Sequence, residues 1–337
     1  MKIALDAMGG DFAPQNPIGG LKLALKTLPH VEKFFLTGPT EVIAAELDKQ
    51  QVGDRGRIEI MNATQVVAMT DSGIDAVRKK KNSSVTVAVD LVKQGECQAI
   101  VSAGHTGAAV TASTLMLGRI EGVDFPGIAS PIPNEHGVCY ILDAGANPDA
   151  KASHLVQYAI MGSVYSRHLH GRENPIVGLM SVGEEDYKGN ELTKHAFRLL
   201  REAAVNFKGN IEGHDIFETP LDVIVCDGFT GNVVLKTCEA TAKIMMKWLK
   251  QELTATPLRK LGALMAQNAF RAVKAKGSYE SYGGSPLLGL RGVVIIGHGS
   301  SSPLAIMNAL RVACEAVEHK VNPHIEAAIA AHAFTHA

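Results

Sequence analysis

Aromatic residues, paired cysteines and long apolar runs are all scarce in this sequence. Phenylalanine, tyrosine and tryptophan make up 5% of the 337 residues, and there is one tryptophan. Glycine contributes 33 residues, and this composition favours helices, parallel strands and glycine turns over an all-β sandwich. Apolar runs stay short of the ~18 residues that span a bilayer, and the first residues lack the apolar stretch of a signal peptide. We therefore expect no membrane-spanning helix and no secretory leader.

Cysteine motifs and common catalytic signatures are also missing. The five cysteines are odd in number and form no CxxC pair, which indicates a reduced, cytoplasmic setting. The glycine motifs of nucleotide and dinucleotide binding do not occur, and neither do HExxH or GxSxG. The sequence therefore predicts no metal site and no serine hydrolase.

Neither positive nor negative charge is in excess. There are 33 Lys and Arg residues against 34 Asp and Glu residues, a formal net charge of −1. A molecule of this net charge does not attract nucleic acid electrostatically as a whole, so a charged partner must be recognised by a local patch of charged residues. With 46% apolar and 20% charged residues, the chain has the composition of a soluble globular protein rather than a disordered chain or a coiled coil.

Short apolar runs that end in glycine turns alternate with segments of helical periodicity. The runs are 2–6, 33–37, 57–61, 98–102, 138–143, 176–181, 221–227 and 292–297, and the helical segments include 85–94, 154–168, 191–203 and 303–318. This alternation predicts an α/β protein with three layers, helix on sheet on helix, and a mostly parallel sheet. We expect one domain over 1–330, of one or two lobes, and a tail over 331–337.

Residues 238–276 do not follow this alternation of apolar runs and helical segments. The segment is helical in pattern except near 254–257, and it holds eight basic and two acidic residues among many Leu and Met residues. Two basic amphipathic helices in a protruding hairpin are expected. Leu258, Leu261 and Leu264 fall on roughly one helix face. They either contact a membrane surface or pack in a dimer, and the sequence leaves both open.

Polar glycine turns follow three of the predicted strands, at 103–107, 228–232 and 298–303. In a parallel sheet such turns lie at the carboxyl edge of the strands, where α/β proteins bind ligands. Glycine allows close backbone approach, and the helix N-termini that follow favour anions. We expect the turns to share one edge and to bind phosphate. The predicted ligands are Asp6, Gly9, Gly10, Ser102, Gly104, His105, Thr106, Gly107, Gly228, Thr230, Gly231 and Ser300.

Two further positions carry charge. Lys188 lies in a loop after the strand 176–181, beside three carboxylates, where it either forms a solvated ion pair or holds an anion as a mobile point charge. The basic run Arg78, Lys79, Lys80 and Lys81 is either a solvated face or a contact for an acidic partner.

Several motifs together resemble the bacterial phosphate acyltransferase family. They include DAMGGDFAP (6–14), RKKKNSS (78–84), SAGHTGA (102–108), LDAGAN (142–147), GEEDYKGNELTK (183–194), DVIVCDGFTGNVVLKT (222–237), YGGSPLLGL (282–290) and HGSS (298–301). The resemblance spans nearly the whole chain in order. One departure is His105, which stands where the family commonly has Asn.

The resemblance implies an enzyme that moves a long acyl chain from acyl-carrier protein to inorganic phosphate. The acyl phosphate is then used by a membrane acyltransferase on glycerol 3-phosphate in phospholipid synthesis. It also implies a homodimer on the inner face of the membrane, without an organic cofactor. The implied fold is similar to isocitrate and isopropylmalate dehydrogenases and to phosphotransacetylases.

The resemblance to the KGN and GFTGN motifs assigns catalytic roles to Lys188 and Asn232. Lys188 and the 102–107 turn would hold phosphate, Asn232 and the N–H groups of its turn would stabilise the oxyanion, and His298 would protonate the thiolate or orient phosphate. The basic run 78–81 would contact the carrier protein. Two alternatives remain: a dehydrogenase of the same fold, and a non-catalytic adaptor that binds carrier protein or lipid.

Overall fold

The computed structural model describes residues 1–68, 71, 73–276 and 282–335, and these residues form two β-sheets covered by helices. The strands are β1 Lys2–Asp6, β2 Lys33–Gly38, β3 Ile58–Asn62, β4 Ala99–Ser102, β5 Gly127–Ile128, β6 Ser130–Asn134, β7 Gly137–Leu142, β8 Ile176–Met180, β9 Asn206–Ile211, β10 Val223–Val225, β11 Ser285–Leu288 and β12 Val293–Ile296. The helices are α1 Gln15–Thr27, α2 Thr40–Lys49, α3 Gly73–Lys79, α4 Ser84–Lys93, α5 Thr106–Met116, α6 Ala152–His170, α7 Glu191–Glu202, α8 Asp215–Glu218, α9 Gly228–Leu253, α10 Pro257–Met265, α11 Gln267–Lys276, α12 Pro303–Glu318 and α13 Val321–Thr335.

The first sheet has seven strands in the order β3-β2-β1-β4-β12-β11-β5. Its strands are parallel except β11, which is antiparallel to both neighbours. Alternate residues of β1 point to opposite faces. Ile3 and Leu5 pack with α1, α2 and α12, whereas Ala4 packs with α4 and α5. The sheet is therefore the middle of three layers.

The second sheet has five strands in the order β6-β7-β10-β8-β9, and only β6 is antiparallel. One face packs on α6 and α7, through residues such as Leu142 and Val223. The other face, through Ile141 and Ile224, shares a buried cluster with Ile100 and Ile296 of the first sheet. The two sheets are therefore joined by one apolar core.

The predicted α/β architecture is confirmed, and each of the eight predicted strands is present. The pattern did not predict β5, β6, β9 and β11, nor several helices. The predicted hairpin is present, but its first helix, α9, begins at Gly228 rather than near 238. Its second half is divided into α10 and α11 by a break at Ala266.

Two further expectations concern helices. None of the helices in the described part of the chain is long and apolar enough to cross a membrane. Helix α13 continues to Thr335, so residues 331–335, which we expected to form a tail, are the end of a helix. Residues 336 and 337 lie outside the described residues.

Candidate active site

The predicted site residues lie at the carboxyl edges of two sheets. The turns at 103–107 and 298–303 follow β4 and β12 of the seven-stranded sheet, together with the turn after β1. Residues 228–232, which we expected to form a turn, are the start of α9 and follow β10, which pairs with β7 and β8 of the other sheet. The expectation that all three turns share one edge was wrong, because periodicity identifies a strand but not its neighbours.

Asp6 is buried at the carboxyl edge of the seven-stranded sheet, which we call the first edge. Its side chain is 3% exposed, and it accepts hydrogen bonds from the Ser102 hydroxyl at 2.7 Å and the Met8 N–H at 3.2 Å. Burial raises the pKa of Asp6, and hydrogen bonds from Ser84, Ser102 and Met8 act against that rise. Because the Ser102 hydroxyl donates to Asp6, it holds β1 to β4 rather than offering its proton to a ligand.

Glycines allow the turns of this edge to interlock. A Cβ on Gly9 would lie 2.8 Å from the Gly104 nitrogen and 2.9 Å from Asp6 Oδ2. Gly10 has a φ of +109°, and a Cβ there would lie 2.9 Å from the Gly299 carbonyl oxygen. That carbonyl accepts from the Asp11 N–H at 2.8 Å. Contacts this close leave no room for a side chain at Gly9 or Gly10.

His105 caps helix α5. Its Nδ1 accepts a hydrogen bond from the Ala108 N–H at 3.1 Å, with the extended backbone of an N-cap residue. Asn is among the best N-cap residues, so His105 performs the backbone role that Asn performs well. Thr106 and Gly107 form the first turn of α5, and Gly107 packs against Gly73 of α3.

His298 and Ser300 form a local pair in the turn after β12. Ser300 donates its N–H to His298 Nδ1 at 3.2 Å, and its hydroxyl lies 2.8 Å from the same nitrogen. His298 is exposed and Ser300 is half-buried. Ser302 caps α12 by accepting from the Ala305 N–H at 3.2 Å. The pair therefore stands at the N-terminus of a helix, as the sequence predicts.

The start of α9 lies at the carboxyl edge of the five-stranded sheet, which we call the second edge. Asp227 caps the helix, because its carboxylate accepts the Thr230 N–H at 2.9 Å and the Thr230 hydroxyl at 2.7 Å. Gly228 donates its N–H to the Asn147 carbonyl at 2.9 Å, and the Gly231 N–H donates to the Asp227 carbonyl at 3.0 Å. These N–H groups and the Thr230 hydroxyl already donate hydrogen bonds within the protein. The side-chain amide of Asn232 makes no hydrogen bond to the described residues and is thus one of the donors at this helix start that a ligand can use.

Asn232 is half-buried beside the turn that follows β7. A Cβ on Gly145 would lie 3.6 Å from Asn232 Cβ and 3.7 Å from its Oδ1. The neighbouring strand in the sheet is β8, and the loop that follows it carries Lys188. Lys188 and Asn232 therefore follow adjacent strands of one sheet.

Lys188 is half-buried and folds back over its own loop. A Cβ on Gly183 would lie 3.0 Å from Lys188 Cγ, and the amino group lies 5.8 Å from the centre of the Tyr187 ring. No carboxylate of the described residues lies within 4.0 Å of this amino group, and Asp186 pairs with Arg201 instead. A solvated ion pair with the loop's carboxylates is therefore not what the structure shows for Lys188.

Among the described residues, one group has the composition of a cation site. Glu184, His214 and Asp215 place one ligand atom each within 4.8 Å of one another at the ends of β8 and β9. Both carboxylate oxygens of Asp215 already accept hydrogen bonds, from the Glu212 N–H and the Thr219 hydroxyl. These bonds tie the residues before and after the short helix α8 to its first residue, and they give the buried carboxylate of Asp215 a structural role.

The basic run lies beside the first edge, on α3 and the residues that follow it. Arg78, Lys79 and Lys81 are exposed, and Lys79 lies 3.7 Å from Asp75. Lys80 is half-buried, and its amino group pairs with Asp71 at 2.6 Å. Three of the four basic residues predicted to contact a partner thus face solvent.

The hairpin exposes apolar side chains at its far end. Leu258, Leu261 and Leu264 are 79%, 57% and 66% exposed, and Met265 is 84% exposed. Trp248 on α9 is 54% exposed. Nothing among the described residues, therefore, covers the leucines of α10.

Comparison with known proteins identifies the family. A family model described as a fatty acid synthesis protein matches residues 1–324. A phosphate acyltransferase from Akkermansia muciniphila is 55% identical over 332 residues, which cover 97% of this chain and 95% of the relative. One from Pelotomaculum thermopropionicum is 47% identical over 329 residues, covering 98% and 95%. The chain belongs to the phosphate acyltransferase family.

Solved structures of other families share the fold of this phosphate acyltransferase family member. A phosphotransacetylase from Streptococcus pyogenes has a TM-score of 0.60 at 17% identity and covers 94% of each chain. The EutD phosphotransacetylase from Staphylococcus aureus has a TM-score of 0.57 at 15% identity, covering 94% of this chain and 93% of that one. A candidate 4-hydroxythreonine-4-phosphate dehydrogenase from Salmonella typhimurium has a TM-score of 0.53 at 13% identity and covers 93% and 98%. The likeness confirms the expected fold.

Membership of the phosphate acyltransferase family decides between the classes that the sequence left open. The chain is an acyltransferase, rather than a dehydrogenase of the same fold or a non-catalytic adaptor. A cysteine nucleophile is also disfavoured. Cys226 is 3% exposed, and burial raises the pKa of its thiol well above the usual value.

Sequence reasoning missed residues that hold the two edges together. Asp143 and Asn147 lie beneath the start of α9, Asp227 caps that helix, and Ser84 lies beside Asp6. A signal for Asp143 exists in the sequence. The motif LDAGAN at 142–147 follows a strand as LDAMGG does at 5–10, and each places a buried Asp at the strand end.

Proposed function

We propose that the chain transfers a long-chain acyl group from acyl-carrier protein to inorganic phosphate, and that the acyl phosphate serves phospholipid synthesis. The names of its relatives support transfer to phosphate, and the description of the family model supports a role in lipid synthesis. One observation carries the proposal. Lys188, with no carboxylate partner among the described residues, and the Asn232 amide follow neighbouring strands at one sheet edge.

The reaction needs positioning and charge stabilisation more than an activated protein nucleophile. A phosphate oxygen attacks the thioester carbonyl carbon, the new C–O bond gives a tetrahedral oxyanion, and the C–S bond then breaks to release the carrier's thiolate. Phosphate is already nucleophilic near neutral pH. Holding it beside the carbonyl replaces a bimolecular encounter by a reaction within one complex.

Lys188 is proposed to hold the attacking phosphate. Its ammonium group is a compact point charge on a flexible stem. In this structure the group lies near the Tyr187 ring, a weak contact that a phosphate dianion replaces readily. The N-terminal turn of α5, with the Thr106 hydroxyl, is proposed to add to the binding of phosphate.

Asn232 is proposed to stabilise the oxyanion. Its amide stands in the first turns of α9, where the helix dipole places about half a positive charge. A hydrogen-bond donor that is already oriented toward the transition state lowers the activation barrier more than a water molecule that must first reorient. His298, with Ser300 against its Nδ1, is proposed to protonate the thiolate or to orient phosphate.

Two surfaces are proposed to bring the substrates and the membrane together. Arg78, Lys79 and Lys81 offer exposed positive charge beside the first edge, which suits an acidic carrier protein. The α9–α11 hairpin offers apolar side chains flanked by basic ones, which suits the anionic inner face of a membrane. We also propose a homodimer, a cytoplasmic location and delivery of the product to a membrane glycerol-3-phosphate acyltransferase.

The proposed reaction is tested by trapping its product. Purified protein is incubated with long-chain acyl-carrier protein and phosphate, and hydroxylamine is added to convert acyl phosphate into a hydroxamate. The proposal expects hydroxamate that requires both protein and phosphate. Release of free fatty acid at the same rate without phosphate would instead indicate thioester hydrolysis.

A further inference from the structure

Asp143 is a buried acceptor that the proposed chemistry does not use. Its carboxylate is 0% exposed at the end of β7, and it accepts four backbone N–H groups. Oδ1 accepts from Ile128 at 2.9 Å, Gly145 at 3.0 Å and Ala146 at 2.9 Å, and Oδ2 accepts from Asn147 at 2.6 Å. Burial of a carboxylate costs free energy unless hydrogen-bond donors use its acceptor sites, and the four N–H groups do so here.

These four bonds reach both sheets. Ile128 belongs to β5, which pairs with β11 in the seven-stranded sheet, whereas Asp143 itself follows a strand of the five-stranded sheet. The remaining three bonds fix the turn at 144–147. Asp143 therefore joins the end of β7 in the five-stranded sheet to β5, the last strand of the seven-stranded sheet.

The turn held by Asp143 packs against the start of α9. Asn147 accepts the Gly228 N–H at 2.9 Å, and a Cβ on Gly228 would lie 2.5 Å from Asp143 Oδ2. The carbonyl of Asp143 also accepts the Cys226 thiol at 3.6 Å. Gly145, in the same turn, stands opposite Asn232.

We propose that Asp143 is a positioning residue for acyl transfer: its carboxylate fixes the 144–147 turn against the first turn of α9, and so fixes the Asn232 amide. The inference rests on the proposed role of Asn232. A carboxylate suits this task because both oxygens only accept, and all four hydrogen bonds to them come from backbone N–H groups. An amide of the same shape would turn a donor toward one of those N–H groups in either orientation.

The first test is Asp143→Asn, with Asp222→Asn as the matched control. Asp222 is buried in the same sheet, where its Oδ2 accepts the Ile176 N–H at 2.8 Å, but it lies at the opposite edge. Displacement of a catalytic group by about 1 Å costs roughly 10²-fold in rate. We expect Asp143→Asn to lower kcat by about that factor with little change in the KM for phosphate. Asp222→Asn should lower the melting temperature but keep kcat.

The decisive test is a double-mutant cycle with Asn232→Ala, measured as kcat of folded protein. If Asp143 acts through Asn232, its substitution costs rate in the wild-type background and almost none when Asn232 is already Ala. Equal losses in both backgrounds would show a merely structural role and overturn the proposal. Near-native kcat for Asn232→Ala alone would refute the proposed site instead, so the two failures are distinguishable.

A second variant covers the case in which Asp143→Asn does not fold. Gly145 is exposed and has a φ of +138°, which an alanine adopts only with strain, so Gly145→Ala disturbs the same turn from its outer side. The proposal expects Gly145→Ala to fold with a melting temperature lowered by this strain and to have a lower kcat, and it expects no such loss of kcat in the Asn232→Ala background. Native kcat for a folded Gly145→Ala would contradict the proposal.

Discussion

The Ser102 hydroxyl donates a hydrogen bond of 2.7 Å to the carboxylate of Asp6, although the two residues are 96 positions apart in the sequence. The bond joins the ends of β1 and β4 directly beneath the close approach of Gly9 to Gly104. It therefore fixes the distance between two of the turns at the first edge.

Ser102→Ala should destabilise the protein. The substitution leaves a buried carboxylate oxygen without this donor, and a buried group that loses its partner costs about 1–3 kcal/mol. Denaturant unfolding measures the change. Ser113→Ala is the control, because Ser113 is equally buried but its hydroxyl has no partner among the described residues. An equal loss in both variants would show that the bond to Asp6 is unimportant.

His105→Asn should keep activity, whereas His105→Ala should lose part of it. His105 caps α5 through an Nδ1 that accepts the Ala108 N–H at 3.1 Å, and an Asn side chain is able to accept the same hydrogen bond. Loss of an N-cap acceptor costs about 1 kcal/mol of stability, so His105→Ala should also melt at a lower temperature. Wild-type activity and melting temperature in His105→Ala would show that this cap is unimportant.

Acid should weaken the contact between α6 and α13. The rings of His168 and His324 stack at 3.9 Å between centroids and 8° between planes. Burial lowers the pKa of His168, and His324, Arg167 and His319 lower it further. The folded state thus binds this proton more weakly than the unfolded state, so stability falls as the pH drops below about 6.5, the ordinary histidine value.

The corresponding measurement is the melting temperature of wild type and His168→Gln between pH 7.5 and 5. The variant should lose less stability across this interval, because it lacks the proton that the unfolded state gains. Parallel curves for the two proteins would place the acid sensitivity elsewhere.

Replacing Leu258 and Leu261 with Glu should abolish sedimentation with anionic vesicles. Both side chains are exposed, and carboxylates there oppose insertion and repel the surface. Oligomeric mass and acyl-phosphate synthesis in solution should stay unchanged. Leu23→Glu/Val42→Glu is the control, since those exposed residues lie on α1 and α2. Dissociation or unfolding of the first variant would make the hairpin a packing surface between copies of the chain.

Periodicity predicted eight of the strands that pair in parallel and several of the helices between them, but it did not predict the parallel strand β9. It failed for β6, whose sequence SPIPN contains two prolines. Proline removes a ladder donor and breaks the apolar alternation, and it is tolerated here because β6 is an edge strand. The division into two sheets was also beyond the sequence, since β10 has the same local pattern as β4 and β12.

The sequence predicted the places where polar residues follow the strands, but not the hydrogen bonds that their side chains make. Glycine and hydroxyl content correctly marked the turns, yet Thr230 donates to Asp227 and Ser102 donates to Asp6. The pairing of Ser102 with Asp6 depends on which turns meet in space, whereas Thr230 pairs with Asp227 in a local helix cap. The role of Asp143 likewise depends on Ile128 of the other sheet, a contact that no local pattern contains.

Lys188 and Asn232 are the two residues on which the proposed transfer of the acyl group to phosphate depends. Their roles are tested by the rate of phosphate-dependent hydroxamate formation by Lys188→Ala and Asn232→Ala, each with its melting temperature. Loss of one oxyanion donor typically costs about 10²–10³ in rate, and we expect losses of that order from folded proteins. Near-native rates in both variants at unchanged melting temperature would show that neither residue takes part in the transfer.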